Sequence, residues 1–235
     1  MSEIKFILQP GAKIGRTPIQ RQPETIEKHG YGSFGAFIQR QDGPDKETLF
    51  FLTNGHVVDW KIGQDVYCYQ QFGQEWKSKK IGKVSKSTST ADLKEGLDAA
   101  AVKIDKKDEW ELKFPINGES RISGTRDPEL FEEICTFGAR SGRVIDDAKI
   151  IDTCHSTNVK GYDAKDMIKI SYKTAKNDKG DSGSVIYSRI DNKVVGLFFL
   201  MDTHITIDYG YACNIQKVLE FLSKGGSAFK LKTKR

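Results

Sequence analysis

The sequence predicts an all-β protein with one helix close to its C-terminal end. Three observations carry this. The apolar segments are short and rich in Phe, Ile, Val, Thr and Tyr, residue types that fit a pleated, half-buried surface. Gly, Asp, Asn and Lys separate these segments at the spacing of turns, and so many strands in one chain imply a sandwich or barrels. Helical spacing is convincing in a single place, where Ile215, Val218, Leu219 and Leu222 share one face before Gly225 and Gly226 end the run.

In chain order, strands are expected at 35–40, 48–53, 66–70, 80–85, 99–104, 134–137, 148–154, 167–172, 184–189, 193–200 and 206–212. Ahead of them, residues 1–30 read as an N-terminal arm, with a basic, flexible stretch over 11–19 and a weak helix or ordered segment over 19–29. The turn-rich stretch from Pro115 to Pro128 divides the chain into comparable halves and reads as a linker, assigned to 116–130. That leaves an N-terminal β unit over 31–115, a C-terminal β unit over 131–213, and a helix with a basic tail over 214–235. The Gly/Lys-rich tail reads as frayed and solvated.

With 235 residues, 37% of them apolar, the chain can fill one large β unit or two small barrels. Charged residues make up 29%, yet the net charge is only +5, which argues against a dedicated nucleic-acid partner. The first residues lack the apolar core of a secretory signal, and no stretch has the length to cross a bilayer. The expectation is a soluble, cytoplasmic protein with no membrane partner. Cys68, Cys135, Cys154 and Cys213 are scattered without any Cys-x-x-Cys spacing, so they read as small buried hydrophobes rather than as a zinc site or a disulfide framework.

Three short segments carry chemistry. In Lys179-Gly180-Asp181-Ser182-Gly183-Ser184, glycines on both sides of a serine allow a tight turn that exposes the hydroxyl and aims backbone N–H groups at one spot. The same residues are common turn formers, so this segment alone decides nothing. In Leu52-Thr53-Asn54-Gly55-His56-Val57-Val58, an apolar strand runs into a glycine and a histidine, whose ordinary pKa suits a general base near neutral pH. His29, His155 and His204 lack comparable flanks. In Gly96-Leu97-Asp98-Ala99-Ala100-Ala101-Val102, an aspartate leads into a small-residue apolar strand, where burial would be costly unless the carboxylate accepts hydrogen bonds, an imidazole N–H being one donor. What raises the odds is the joint appearance of all three in the order His, Asp, Ser.

Those segments resemble the catalytic motifs of the chymotrypsin-like serine peptidases, and the resemblance spans roughly residues 33–222. It implies two perpendicular, antiparallel, six-stranded β-barrels with the active site in the cleft between them. It also implies that Ser182 is the nucleophile, His56 the base and then the acid, and Asp98 the group orienting the imidazole. The N–H groups of Gly180 and Ser182 would form the oxyanion hole, and an acyl-enzyme would be hydrolysed by water without metal or cofactor.

The chain also departs from the secreted branch of that family. Val57 stands where a cysteine usually follows the histidine, so the family's disulfides are not expected, and the chain looks more like intracellular, bacterial or viral members. No Arg/Lys-Ile-Val-Gly-Gly site exists to create a new N-terminus, so Asp181 needs another partner or has none. Lys176 occupies the position where trypsin-like members hold an aspartate, which removes support for Arg or Lys substrates; turned inward it would favour acidic side chains, but a lysine more often faces solvent. Phe198, Phe199, Leu200 and Met201 should line the opposite wall, narrowing the pocket toward a small or apolar residue before the cleaved bond. Thr203, His204 and Asp208 are weaker candidates for reading substrate. The function expected is a serine endopeptidase acting on protein or peptide, narrow or regulated in its targets. The alternatives are a catalytically silent binding module or a protease switched on by an activating partner or additional domains.

Overall fold

The computed structural model describes residues 5–19, 30–114, 122–159, 162–203 and 208–233. The N-terminal half contributes β1 (Ile7–Leu8), β2 (Lys13–Gly15), β3 (Gly32–Ser33), β4 (Phe37–Arg40), β5 (Leu49–Thr53), β6 (Asp65–Phe72), β7 (Glu75–Ser87), β8 (Ala100–Ile104) and β9 (Glu111–Leu112). Antiparallel pairing runs from β3 to β2, β6, β7, β8, β5 and β4. Strands β3 and β4 lie on one stretch of chain, whose corner is held by the Phe34 N–H donating to Ala12 O and the Gly35 N–H donating to Leu52 O. The sheet therefore closes on itself.

Alternation along β8 and the residue before it shows how one strand serves two cores. Ala100, Val102 and Ile104 fill the barrel interior with Phe34, Phe37 and Phe51, whereas Ala99 and Ala101 face outward into the seam between the halves. The C-terminal half contributes β10 (Gly124–Thr125), β11 (Glu133–Phe137), β12 (Val144–Val159), β13 (Tyr162–Tyr172), β14 (Val185–Ser188), β15 (Lys193–Thr203) and β16 (Asp208–Asn214). Here β15, β14, β11, β12, β13 and β16 form a ring completed by β16 pairing with β15. Ile134, Ile150, Ile170, Ile186 and Phe198 are among the residues filling it.

The helix α1 (Ile215–Ser223) begins where Asn214 caps it, the side-chain oxygen accepting from the Gln216 N–H at 2.8 Å. It buries Ile215, Val218, Leu219 and Leu222, the face its spacing predicts. The tail beyond it corrects the expectation of a frayed, solvated end. Residues Phe229–Leu231 form β17, antiparallel to β4 of the first barrel, and the buried Phe229 ring packs edge-on to Phe50 at 5.1 Å. A second correction concerns the flexible stretch read over 11–19, because β2 is a barrel strand and Ile14 is fully buried. Much of the expected linker carries defined structure too: β10 adds to β15, and Arg126 bridges Glu132 and Asp191. The segment read as a helix over 19–29 lies outside the described residues except for Ile19.

No helix among the described residues is long and apolar enough to cross a membrane. All four cysteines are free, and Cys154 is exposed rather than buried as expected. Burial pushes the Cys68 thiol up to about 12 and raises Cys135 as well, while Cys213 is raised by burial and by the neighbouring Asp98 charge. Because the thiolate is the reactive form, one thiol per native chain, Cys154, should react rapidly with a thiol reagent at pH 8, and the other three only on unfolding. A count of fast-reacting equivalents checks this, and a second fast thiol would contradict it.

Candidate active site

Strand β5 delivers His56 into the cleft. The strand ends at Thr53, and His56 opens a single 3-10 turn, His56–Val58. Gly55 must be a glycine here: a Cβ on it would lie 2.8 Å from Asp98 Oδ1 and 2.5 Å from Trp60 Cδ1. That missing atom lets the Asp98 carboxylate approach the histidine. Asp98 is fully buried, its Oδ1 accepts the His56 backbone N–H at 3.0 Å, and its Oδ2 is hydrogen-bonded to His56 Nδ1. A carboxylate on Nδ1 holds the ring proton there and leaves Nε2 as the basic nitrogen. Asn54 Nδ2 donates to the Asp98 carbonyl at 2.6 Å, and the Asp98 N–H donates to Cys213 Sγ at 3.3 Å. The aspartate is thereby fixed from both halves of the chain.

The Ser182 loop is held by the residue before the serine. Asp181 is fully buried; its Oδ1 accepts the N–H groups of Arg140 at 2.7 Å and Ser141 at 3.0 Å, and its Oδ2 accepts the Asp178 N–H at 2.9 Å and Asn177 Nδ2 at 3.4 Å. Tyr172 donates to Asn177 Oδ1 at 2.9 Å, and burial beside the Asp181 charge raises its phenol well above the ordinary value, which keeps it a donor. Main-chain amides thus give Asp181 the partners that the sequence left unassigned. The Asp181→Ala variant should lose about 3 kcal/mol of stability, since three N–H groups lose their acceptor at about 1 kcal/mol or more each. Chemical denaturation measures it, and a loss below 1 kcal/mol would refute the tethering role.

Within this loop, the Asp181 N–H donates to Asp178 O and the Gly183 N–H to Phe198 O, while the N–H groups of Gly180 and Ser182 make no hydrogen bond among the described residues. Two free donors therefore flank Asp181. The Ser182 hydroxyl donates to the Phe199 carbonyl at 3.1 Å, and no hydrogen bond joins it to His56. Phe199 sits in a bulge of β15, and its ring stands edge-on to the His56 imidazole at 5.8 Å. Trp60 lies 6.3 Å from the same imidazole. The two sides of the cleft touch closely, because a Cβ on Gly183 would lie 2.5 Å from Thr53 Oγ1 and 3.3 Å from Asn54 N.

No family model matches the sequence, and no curated protein is similar to it. The three-dimensional structure, by contrast, is similar to Thermobifida fusca protease A, at a TM-score of 0.65 and 15% identity over 98% of this chain and 100% of that one. The fold is the chymotrypsin-like double barrel. Nocardiopsis protease is similar at a TM-score of 0.65 and 16% identity, covering 98% of this chain and 100% of its own. A glutamic acid specific serine protease is similar at 0.65 and 14% identity, over 96% of this chain and 100% of that chain.

Within the double barrel, the residues read as a specificity pocket divide. Lys176 is ion-paired to Asp208 at 2.5 Å near the surface. Phe198 belongs to the interior of the second barrel, fully buried among isoleucines, and so does not wall an open pocket. Phe199 lies in the seam between the barrels, and Leu200 and Met201 are half-buried on β15. His204 and the Thr203 side chain lie outside the described residues. Sequence reasoning missed Trp60, Asn177 and Cys213, of which only Trp60, four residues after His56, carried a local signal.

Proposed function

We propose that this chain is a serine endopeptidase that cleaves protein or peptide through an acyl-enzyme. The observation that carries the reading is a buried Asp98 bonded to a half-buried His56, together with a serine loop that has two unbonded N–H groups, at Gly180 and Ser182. In this reading Ser182 turns from the Phe199 carbonyl to His56 Nε2 and attacks the scissile carbonyl. Its proton passes to Nε2, and the developing oxyanion takes the N–H groups of Gly180 and Ser182. The imidazolium then protonates the leaving amine, and water hydrolyses the ester with the histidine again as base.

Beyond Phe198, whose N–H and C=O are taken by Ser184 O and the Gly183 N–H, no strand among the described residues pairs with that edge of β15, so it offers main-chain groups to an extended substrate. The Phe199 carbonyl, once released by Ser182, is one such acceptor. Leu200 and Met201 support a small or apolar residue before the cleaved bond. The pairing of Lys176 with Asp208 leaves no bare cation there for an acidic one. Free thiols are compatible with the reducing cytoplasm expected from the sequence.

The resting hydrogen bond of Ser182 favours a second reading, a protease that works only after substrate or a partner reorients the serine. A peptide-library profile combined with fluorophosphonate labelling separates the readings. Cleavage and labelling by the isolated chain support the first, labelling only with added cell extract supports the second, and neither in folded protein supports a silent binding module.

A further inference from the structure

An open cavity of about 380 Å³ lies beside Gly180, lined by Gly30, Tyr31, Arg140, Asp178, Lys179 and Gly180. None of these residues comes from β15, the strand available to the acyl part of a substrate. Its lining thus belongs to the serine loop and to its neighbours Tyr31 and Arg140, away from that strand. Its tie to the chemistry is Gly180 itself, with φ +112°, where a Cβ would lie 2.7 Å from the Tyr31 ring and 3.2 Å from Arg140 Cβ. Tyr31 and Arg140 thus close directly on Gly180, whose N–H is one of the two unbonded donors.

The charges around the groove are unbalanced. One Asp178 oxygen accepts the Lys179 backbone N–H at 2.6 Å and the other lies 3.8 Å from the Arg140 guanidinium, so this acid is offset within the rim. Asp181 is turned away from the surface and saturated by four donors. The exposed Lys179 ammonium makes no ion pair among the described residues, and the Lys13 ammonium lies 4.5 Å from the Tyr31 ring centroid. Among the described residues, what remains is an aromatic wall and the Lys179 ammonium beside it.

We propose that this groove receives the first two residues after the scissile bond and selects acidic side chains there, with Lys179 as the main contact. The inference rests on the proteolytic reading and adds a substrate class to it. Quenched peptides identical before the scissile bond, with Glu, Gln or Lys in the two positions after it, test the idea on the full chain. For the wild type, kcat/KM should be about three- to tenfold higher for Glu than for Lys at low salt, as expected of exposed ion pairs, and the ratio should shrink as salt rises. Lys179→Glu should invert the order and Lys179→Arg should keep it. The ratio is read within each variant, so a general loss of rate cancels. An order unchanged in Lys179→Glu overturns the proposal, as does an equal rate for the three peptides. Failure of the proteolytic reading looks different: no peptide is turned over by any variant. In that case fluorescein-labelled Glu-Glu and Lys-Lys peptides are titrated against Ser182→Ala and against Ser182→Ala/Lys179→Glu. Tighter binding of the acidic peptide that is lost in the double variant supports the groove, and equal affinities overturn it.

Discussion

Replacing Ser182 with alanine should lower kcat by about 10⁴-fold or more while changing stability by no more than about 1 kcal/mol. The first number follows from the way the three groups act as a unit: without a nucleophile, the His56–Asp98 pair has no proton to accept, and only electrostatic help from the free N–H groups remains. The second follows from what the hydroxyl does at rest, which is to donate one hydrogen bond to the Phe199 carbonyl. A fluorophosphonate should label the wild type and leave the alanine variant unmodified at matched folding by circular dichroism. Labelling that persists in the variant would place the nucleophile elsewhere and remove the assignment of Ser182.

Asp98→Asn should cost about 10⁴-fold in kcat with little change in shape. Both carboxylate oxygens accept from the same residue, Oδ1 from the His56 backbone N–H and Oδ2 from the ring at Nδ1. An amide has one acceptor and one donor in those places. If its NH₂ faces the ring, the imidazole carries its proton on Nε2 and cannot take one from Ser182. If it faces the backbone, two donors meet in a fully buried site, and about 1–3 kcal/mol of stability is lost instead. Steady-state kinetics and denaturation together tell these outcomes apart, and a variant with wild-type kcat and stability would show that Asp98 does not orient His56.

The pairing of His56 with Asp98 was legible in the sequence because its geometry needs particular residues next to each other. Gly55 must lack a side chain for Asp98 to approach, and Gly183 must lack one to lie against Thr53. Strand centres such as 49–53 and 134–137 were legible because each is a short apolar run. The long hairpin of β12 and β13 was read too short, since its outer part is a mixture of Asp, Lys, Ser and Thr whose pairing across the strands, with several register shifts, has no apolar signature. Strands β2 and β17 are three residues each, and their partners lie far along the chain. Phe198 and Phe199 could not be sorted by alternation, because the bulge between Phe198 and Leu200 resets which side each ring takes. The tether on Asp181 was invisible because it is built from main-chain amides, which no side-chain pattern reports.

Strand β17 follows the second barrel in the chain yet completes an edge of the first, with Lys232 N–H adding a bond to Phe37 O. The stretch after α1 thus works as a clasp from the second barrel to the first. A single nick between residues 223 and 229 would leave the other strand pairings whole but undo the clasp, so an exposed turn would decide how firmly the two barrels stay joined.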